Sequence, residues 1–175
     1  MSSVVFLRAV NVGTANRCRP ADIAKKLSKF DVINIGAVGT FVVRKDVSES
    51  ALRSATAKQL PFKCEIMIVP GLDILKLASR DPFAGQPAAG PGITRFVNVL
   101  HKPIRPPFSV PLHVPSEAKW LLKIVAIRGR FVLGLYRRQM ESISYLGKIE
   151  KQLGVPATNR NWNTIEKVVK VLEQD

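Results

Sequence analysis

Two cysteines and two histidines in 175 residues leave little material for redox or metal chemistry. Cys18 and Cys64 stand far apart and are too few for a disulfide framework, so both read as free thiols in a reducing compartment. His101 and His113 have no HExxH or CxxC companion, and no metal site is expected. Long apolar runs are also missing. The longest, such as residues 4–7 and 121–127, have the length of a strand, so no membrane span is expected. The apolar start lacks the basic flank and small-residue cleavage pattern of a secretory signal, and a cytoplasmic location is expected. Neither GKS nor GKT, GxSxG nor the repeated glycines of a dinucleotide fingerprint occurs, so no cofactor and no named catalytic group are expected.

Acidic residues are scarce as well, 13 against 27 lysines and arginines, giving a formal charge of +14 and a pI near 10.3. Residues 1–60 and 119–175 carry +6 each and the middle only +2. Such a balance attracts nucleic acid or phosphorylated ligands through its long-range field, and it also serves plain solubility. The 46% hydrophobic content is that of a globular chain with one good core, or with two small subdomains.

Hydrophobic periodicity orders the chain. Val4 to Ala9 reads as a buried strand, and Pro20 opens a helix with Ile23, Leu27 and Phe30 inward and Lys25, Lys26 and Lys29 outward. Strands follow at 32–37 and 41–44, then a helix started by Ser48 and stopped by Pro61, then a strand at 63–69. The order βαββαβ predicts a ferredoxin-like unit, with both helices on one face of an antiparallel sheet. A third helix is predicted over 72–80, and residues 81–92, rich in proline and small residues, read as a mobile connector. A strand at 93–101, an extended proline-rich stretch at 102–115, a hairpin turning at Arg128 and Gly129, and two more helices complete the reading. The first of these has Ile143, Leu146, Ile149 and Leu153 inward; the second is capped by Asn163, with Glu166 reaching back. The expected fold is therefore α+β: two ferredoxin-like halves, 1–80 and 93–175, joined by 81–92, the second degenerate for want of a strand.

The most unusual stretch is TNRNWNT, Thr158 to Thr164. It reads either as an elaborate helix N-cap with Trp162 anchored in the core, or as a preorganised anion site in which amides and Arg160 meet a positive helix end. The loop after the first strand offers Arg8, Asn11, Gly13, Asn16 and Arg17, where glycine admits backbone N–H groups to an anion; the competing reading is an asparagine satisfying its own turn. The two stretches are expected to meet, so that Arg8, Asn11, Gly13, Arg160, Asn161 and Asn163 line one cationic pocket walled by Trp162, with Lys148 adding charge. Cys18, between Arg17 and Arg19, reads as a low-pKa thiol or as an inert one. RGRFVLGLY, Arg128 to Tyr136, lacks the stacking aromatics of an RNA-recognition strand. A phosphate-backbone mode through Lys25, Lys29, Arg128, Arg130, Arg137 and Arg138 stays open.

TNRNWNT, together with LRAVNVG at 7–13, resembles the bacterial family catalogued as domain of unknown function 1697. The resemblance implies a fold and no established activity. Ala9 stands where that family usually has glycine, Asn159 is inserted between Thr158 and Arg160, and Ala37 to Thr40 replace a polar turn of which only Gly39 survives. Two functions are expected from the whole: a binding module for an anionic ligand, nucleic acid or a phosphorylated small molecule, or a small-molecule enzyme acting on a phosphorylated substrate.

Overall fold

The computed structural model describes residues 1–174 and is α+β, with two antiparallel sheets of four and five strands and five α-helices among those residues. The chain divides into two compact units: residues 1–79 together with the segment from Asn163 onward, and Arg80–Trp162.

In the first unit, β1 (Ser3–Leu7), β2 (Val32–Ile35), β3 (Thr40–Val43) and β4 (Ile66–Pro70) lie in the order β2-β3-β1-β4, all antiparallel. Val5 pairs with both Phe41 and Ile68. These three, with Leu7, Val43 and Ile66, form one buried face. Against it pack Ile23, Ala24 and Leu27 from in and just after α1 (Pro20–Lys26), and Leu52 from α2 (Glu49–Gln59). Proline at the first position of α1 gives up an N–H that would have had no partner in the helix. Ser48 caps α2, its hydroxyl accepting from the Ala51 N–H at 3.2 Å. Val4, Phe6, Thr40, Val42, Met67 and Val69 on the opposite face are buried too, so the strands read as continuous apolar runs instead of alternating.

Helix α3 (Gly71–Ser79) follows β4 directly, and α5 (Trp162–Leu172) presents Ile165, Val168 and Leu172 inward at helical spacing. Gly71 is where these elements crowd. A Cβ there would stand 2.7 Å from Ser2 Oγ and 3.0 Å from Leu172 Cδ2. Gly39, at φ +84°, brings the β2–β3 turn against β1, donating no side chain where a Cβ would lie 2.8 Å from Leu7 Cβ. That crowding and the positive φ together call for glycine at this position.

The second unit holds β5 (Ile93–Leu100), β6 (Leu112–Val114), β7 (Leu122–Arg128), β8 (Phe131–Arg137) and β9 (Ala157–Asn161), in the order β6-β7-β8-β5-β9. One face, built on Phe96, Leu100, Leu122, Ile124 and Val132, packs against Ile149 and Leu153 of α4 (Met140–Leu153). The β7–β8 turn is Gly129–Arg130, one residue later than expected, with Gly129 at the positive φ of a two-residue hairpin. Gly154, in the left-handed region, ends α4.

Three expectations are corrected here. No strand is missing from the second sheet: without β6 its order, β7-β8-β5-β9, repeats that of the first, and what it lacks is a helix between β5 and β7, where prolines forbid one. Thr158 to Asn161 is that strand, not part of a turn, and it runs straight into α5 at Trp162, so Asn163 lies inside the first helical turn and cannot be its cap. Ile143 is 69% exposed, because the inward stripe of α4 starts at Ser142, whose buried hydroxyl donates to Arg137 O at 2.6 Å.

Candidate functional site

The loop leaving β1 is held in an unusual conformation by its own polar groups. Ala9, Asn11 and Asn16 take φ of 57°, 57° and 53°, and Gly13 64°, so four of eight residues are left-handed and three of them carry side chains. Asparagine tolerates that region better than most residues. Buried Val10 pins the loop to the core. The Asn11 amide then closes it. Nδ2 donates to Cys18 O at 2.9 Å and to Ala37 O at 3.0 Å, while Oδ1 accepts from the Cys18 N–H at 3.1 Å. The Asn11 N–H donates to Asn16 O at 3.0 Å, and Asn16 Nδ2 to Ala9 O at 3.3 Å.

Antiparallel pairing of β1 with β4 sets Leu7 opposite Ile66, and the Arg8 N–H donates to Glu65 O at 3.0 Å. The residues after β1 are thereby brought beside those before β4. Between them opens a cleft of about 430 Å³ lined by Arg8, Ala9, Asn16, Lys63, Cys64 and Glu65. It offers two cations, an amide and one carboxylate. Burial pushes the Cys64 thiol above the ordinary range; the Arg8 backbone N–H opposes this, and the nearby Cys18 and Glu65 add to it. Burial also raises the Cys18 thiol, so the flanking Arg17 and Arg19 do not make it a low-pKa nucleophile. Among the described residues no group of three His, Cys, Asp or Glu side chains is placed to hold a metal ion, and no helix is long and apolar enough to cross a membrane.

Of the residues expected to line one pocket, Arg8, Asn11, Gly13 and Asn163 belong to the first unit, and Lys148, Arg160, Asn161 and Trp162 to the second. Arg8 lines the cleft, Asn11 is the loop's internal clasp, and Gly13 sits at the exposed tip. Arg160 is 5% exposed, facing inward beside Thr158 on β9; its Nη1 donates to Thr158 Oγ1 at 2.7 Å and to Asn159 O at 2.8 Å. Burial lowers its pKa to about 10, still well above neutral pH. Asn159, facing the other way, donates to Asn98 Oδ1 at 2.9 Å. The Trp162 indole, 9% exposed, meets the Phe83 ring edge-on with centroids 5.2 Å apart, which is the core-anchor reading of that residue. Lys148 lies on the outside of α4, its Nζ 5.3 Å from the Tyr145 ring centroid. Sequence reasoning passed over Lys63, Cys64 and Glu65 as the start of a strand. The signal was available in the expected topology, since an antiparallel neighbour of β1 must bring its preceding residues to the end of β1.

Several arginines of the second unit donate to neutral oxygens. Arg128 Nη1 donates to Arg80 O at 3.0 Å, and Arg130 donates to Leu100 O at 2.8 Å and His101 O at 2.9 Å. Arg137 donates to Trp120 O at 2.9 Å and lies 4.1 Å over the indole, and Arg138 donates to Thr94 Oγ1 at 3.0 Å. The expected set of four arginines is thus split between the two ends of β8. The connector 81–92 is likewise fastened: Phe83 is buried, Arg95 donates to Gln86 O and Pro87 O, and Lys123 to Gln86 Oε1.

No family model and no curated protein matches the chain. Among solved structures, the conserved bacterial protein SP0830 from Streptococcus pneumoniae is similar over 98% of both chains, with 14% identity and a TM-score of 0.61. That likeness is one of fold.

Proposed function

We propose that the protein is a binding module for a phosphorylated ligand, held in the first unit's cleft by Arg8, Lys63 and Asn16. The observation that carries this reading is the meeting of those three residues, from the loop after β1 and the segment before β4, on one open cleft whose loop is already fixed by internal hydrogen bonds. A guanidinium and an ammonium supply charge-assisted hydrogen bonds, the amide adds direction, and a fixed loop loses little entropy on binding. Glu65 in the same lining suits a ligand that presents a hydroxyl or amine beside its phosphoryl group.

Calorimetric titration with inorganic phosphate, nucleoside monophosphates, sugar phosphates and a short oligonucleotide separates the sources of that phosphoryl group. Loss of one charge-assisted bond is worth about 1.5–3 kcal/mol, so Arg8→Ala or Lys63→Ala should weaken binding roughly 10- to 100-fold. Unchanged affinity in the double variant removes the proposal. A ferredoxin-like reading of each unit and membership of the domain of unknown function 1697 family form part of this proposal. The repeated strand order supports the first, and the TNRNWNT and LRAVNVG runs support the second.

A further inference from the structure

The second unit, Arg80–Trp162, contains thirteen lysines and arginines against four aspartates and glutamates, a net +9 from 83 of the 175 residues. The ion pairs Met1–Asp46, Arg44–Asp31 and Arg53–Glu49 all lie in the first unit. In the second, the guanidiniums of Arg95, Arg128, Arg137 and Arg138 donate to carbonyl and hydroxyl oxygens. A neutral acceptor orders an arginine without cancelling its charge. The side chain's entropy is already spent, and N–H groups remain to donate.

Arg95, Arg137 and Arg138 lie toward one end of β8, and Arg128 lies at the other, the β7–β8 turn. Arg128 bonds Arg80 O, and Arg130 bonds Leu100 O and His101 O, so three remote segments are tied together and Arg80, Lys102, Arg128 and Arg130 share one end of the sheet. Arg80 and Lys102 are exposed, and Arg128 and Arg130 half-buried. We propose that this end of the second unit docks the phosphate backbone of a nucleic acid, independently of the cleft in the first unit. Fixed arginine forks suit phosphate oxygens better than mobile ammonium groups do. Two exposed apolar side chains that a membrane surface would take up, Met140 and Ile143, lie beyond the far end of β8, next to Arg138; a third, Val110, is 40% exposed just before β6. That far end is seven residues from Arg130, about 24 Å at 3.4 Å per residue, and so well beyond the screening length of about 8 Å at physiological salt.

The test is fluorescence anisotropy of the full-length protein with a labelled 12-nucleotide RNA of mixed sequence, titrated over a range of KCl concentrations. Each phosphate contact to a single strand contributes about 0.7 to the log–log salt slope. The triple variant R80Q/K102Q/R128Q should lower the slope by about 2, while Arg138→Gln, about 27 Å away by the same measure, should leave it unchanged, as should R8A/K63A in the cleft. Far-ultraviolet circular dichroism checks that each variant is folded, and Lys102→Gln alone, at an exposed position, should still remove about 0.7. An unchanged slope in the triple variant overturns the proposal. So does an equal loss in Arg138→Gln, which would mean a diffuse field, or a loss confined to R8A/K63A, which would place the RNA in the cleft. Displacement of the RNA by poly-glutamate at equal charge concentration overturns it as well, in favour of an acidic protein partner.

Discussion

If Asn11 is the clasp of the opening loop rather than a ligand contact, its replacement must act on stability first. Its amide makes three hydrogen bonds, two to carbonyls and one from the Cys18 N–H, and its backbone sits at φ 57°. At about 1 kcal/mol per bond, discounted for partial exposure, the bonds contribute about 2 kcal/mol. A residue with an ordinary Cβ adds about 1–2 kcal/mol for the left-handed backbone. Asn11→Ala should therefore cost about 3–4 kcal/mol and Asn11→Gly about 2, because glycine loses the bonds but not the conformation. Asn11→Asp keeps the acceptor for Cys18 and turns an oxygen toward two carbonyls. The folded state then disfavours the carboxylate and raises its pKa above the unfolded value. The excess loss is absent below the unfolded value, near 3.9, and grows as pH rises through the raised one. Urea unfolding gives the energies, and exchange of the Cys18 amide hydrogen, which should quicken in the alanine and glycine variants, localises the effect. If all three variants stay within about 0.5 kcal/mol of the parent, the amide is dispensable to the loop and the argument fails.

Gly134 stands in β8 between Phe96 and Ile124, where a Cβ would meet Lys123 O and come within 2.8 and 2.9 Å of the Phe96 ring. Gly134→Ala should cost about 3 kcal/mol, some 6–12 °C in a melting scan, since the obstacle includes backbone. Gly147→Ala, on α4 with open space around it, should instead gain about 0.5–1 kcal/mol; equal effects of the two would refute the packing. Both thiols are raised by burial, so their alkylation by iodoacetamide in the native state should reach half its limiting rate at a higher pH than a free cysteine amide measured alongside. A half-point below that of the free amide at Cys18 would restore the activated-thiol reading that its arginine neighbours suggest.

Elements with strong periodicity or punctuation were legible in the sequence. Pro20, Ser48 and Gly154 mark helix ends where the chain has them, and the apolar runs of β1, β3 and β4 mark strands. TNRN was misread because its inward residues, Thr158 and Arg160, are polar. Strand reading depends on an apolar face, whereas the buried face here is satisfied by a hydroxyl, a carbonyl and a guanidinium. Ile143 is the converse case: helical spacing predicts an inward isoleucine, but buried Ser142 sets the phase.

The same physics limits how a site can be read from residue types. Asparagine and arginine are equally the residues that bind anions and those that satisfy backbone carbonyls. In this chain Asn11, Arg128, Arg130 and Arg137 all donate to carbonyl oxygens first. What separates the two uses is geometry unavailable to composition. The Asn11 amide exhausts both of its hydrogens on the loop, whereas a guanidinium carries five N–H donors, more than one carbonyl can use. The candidate cleft follows from topology instead. Once β1 and β4 are antiparallel neighbours, residues 8–16 and 63–65 must lie together, and the cations there are those that the pairing of strands assembles.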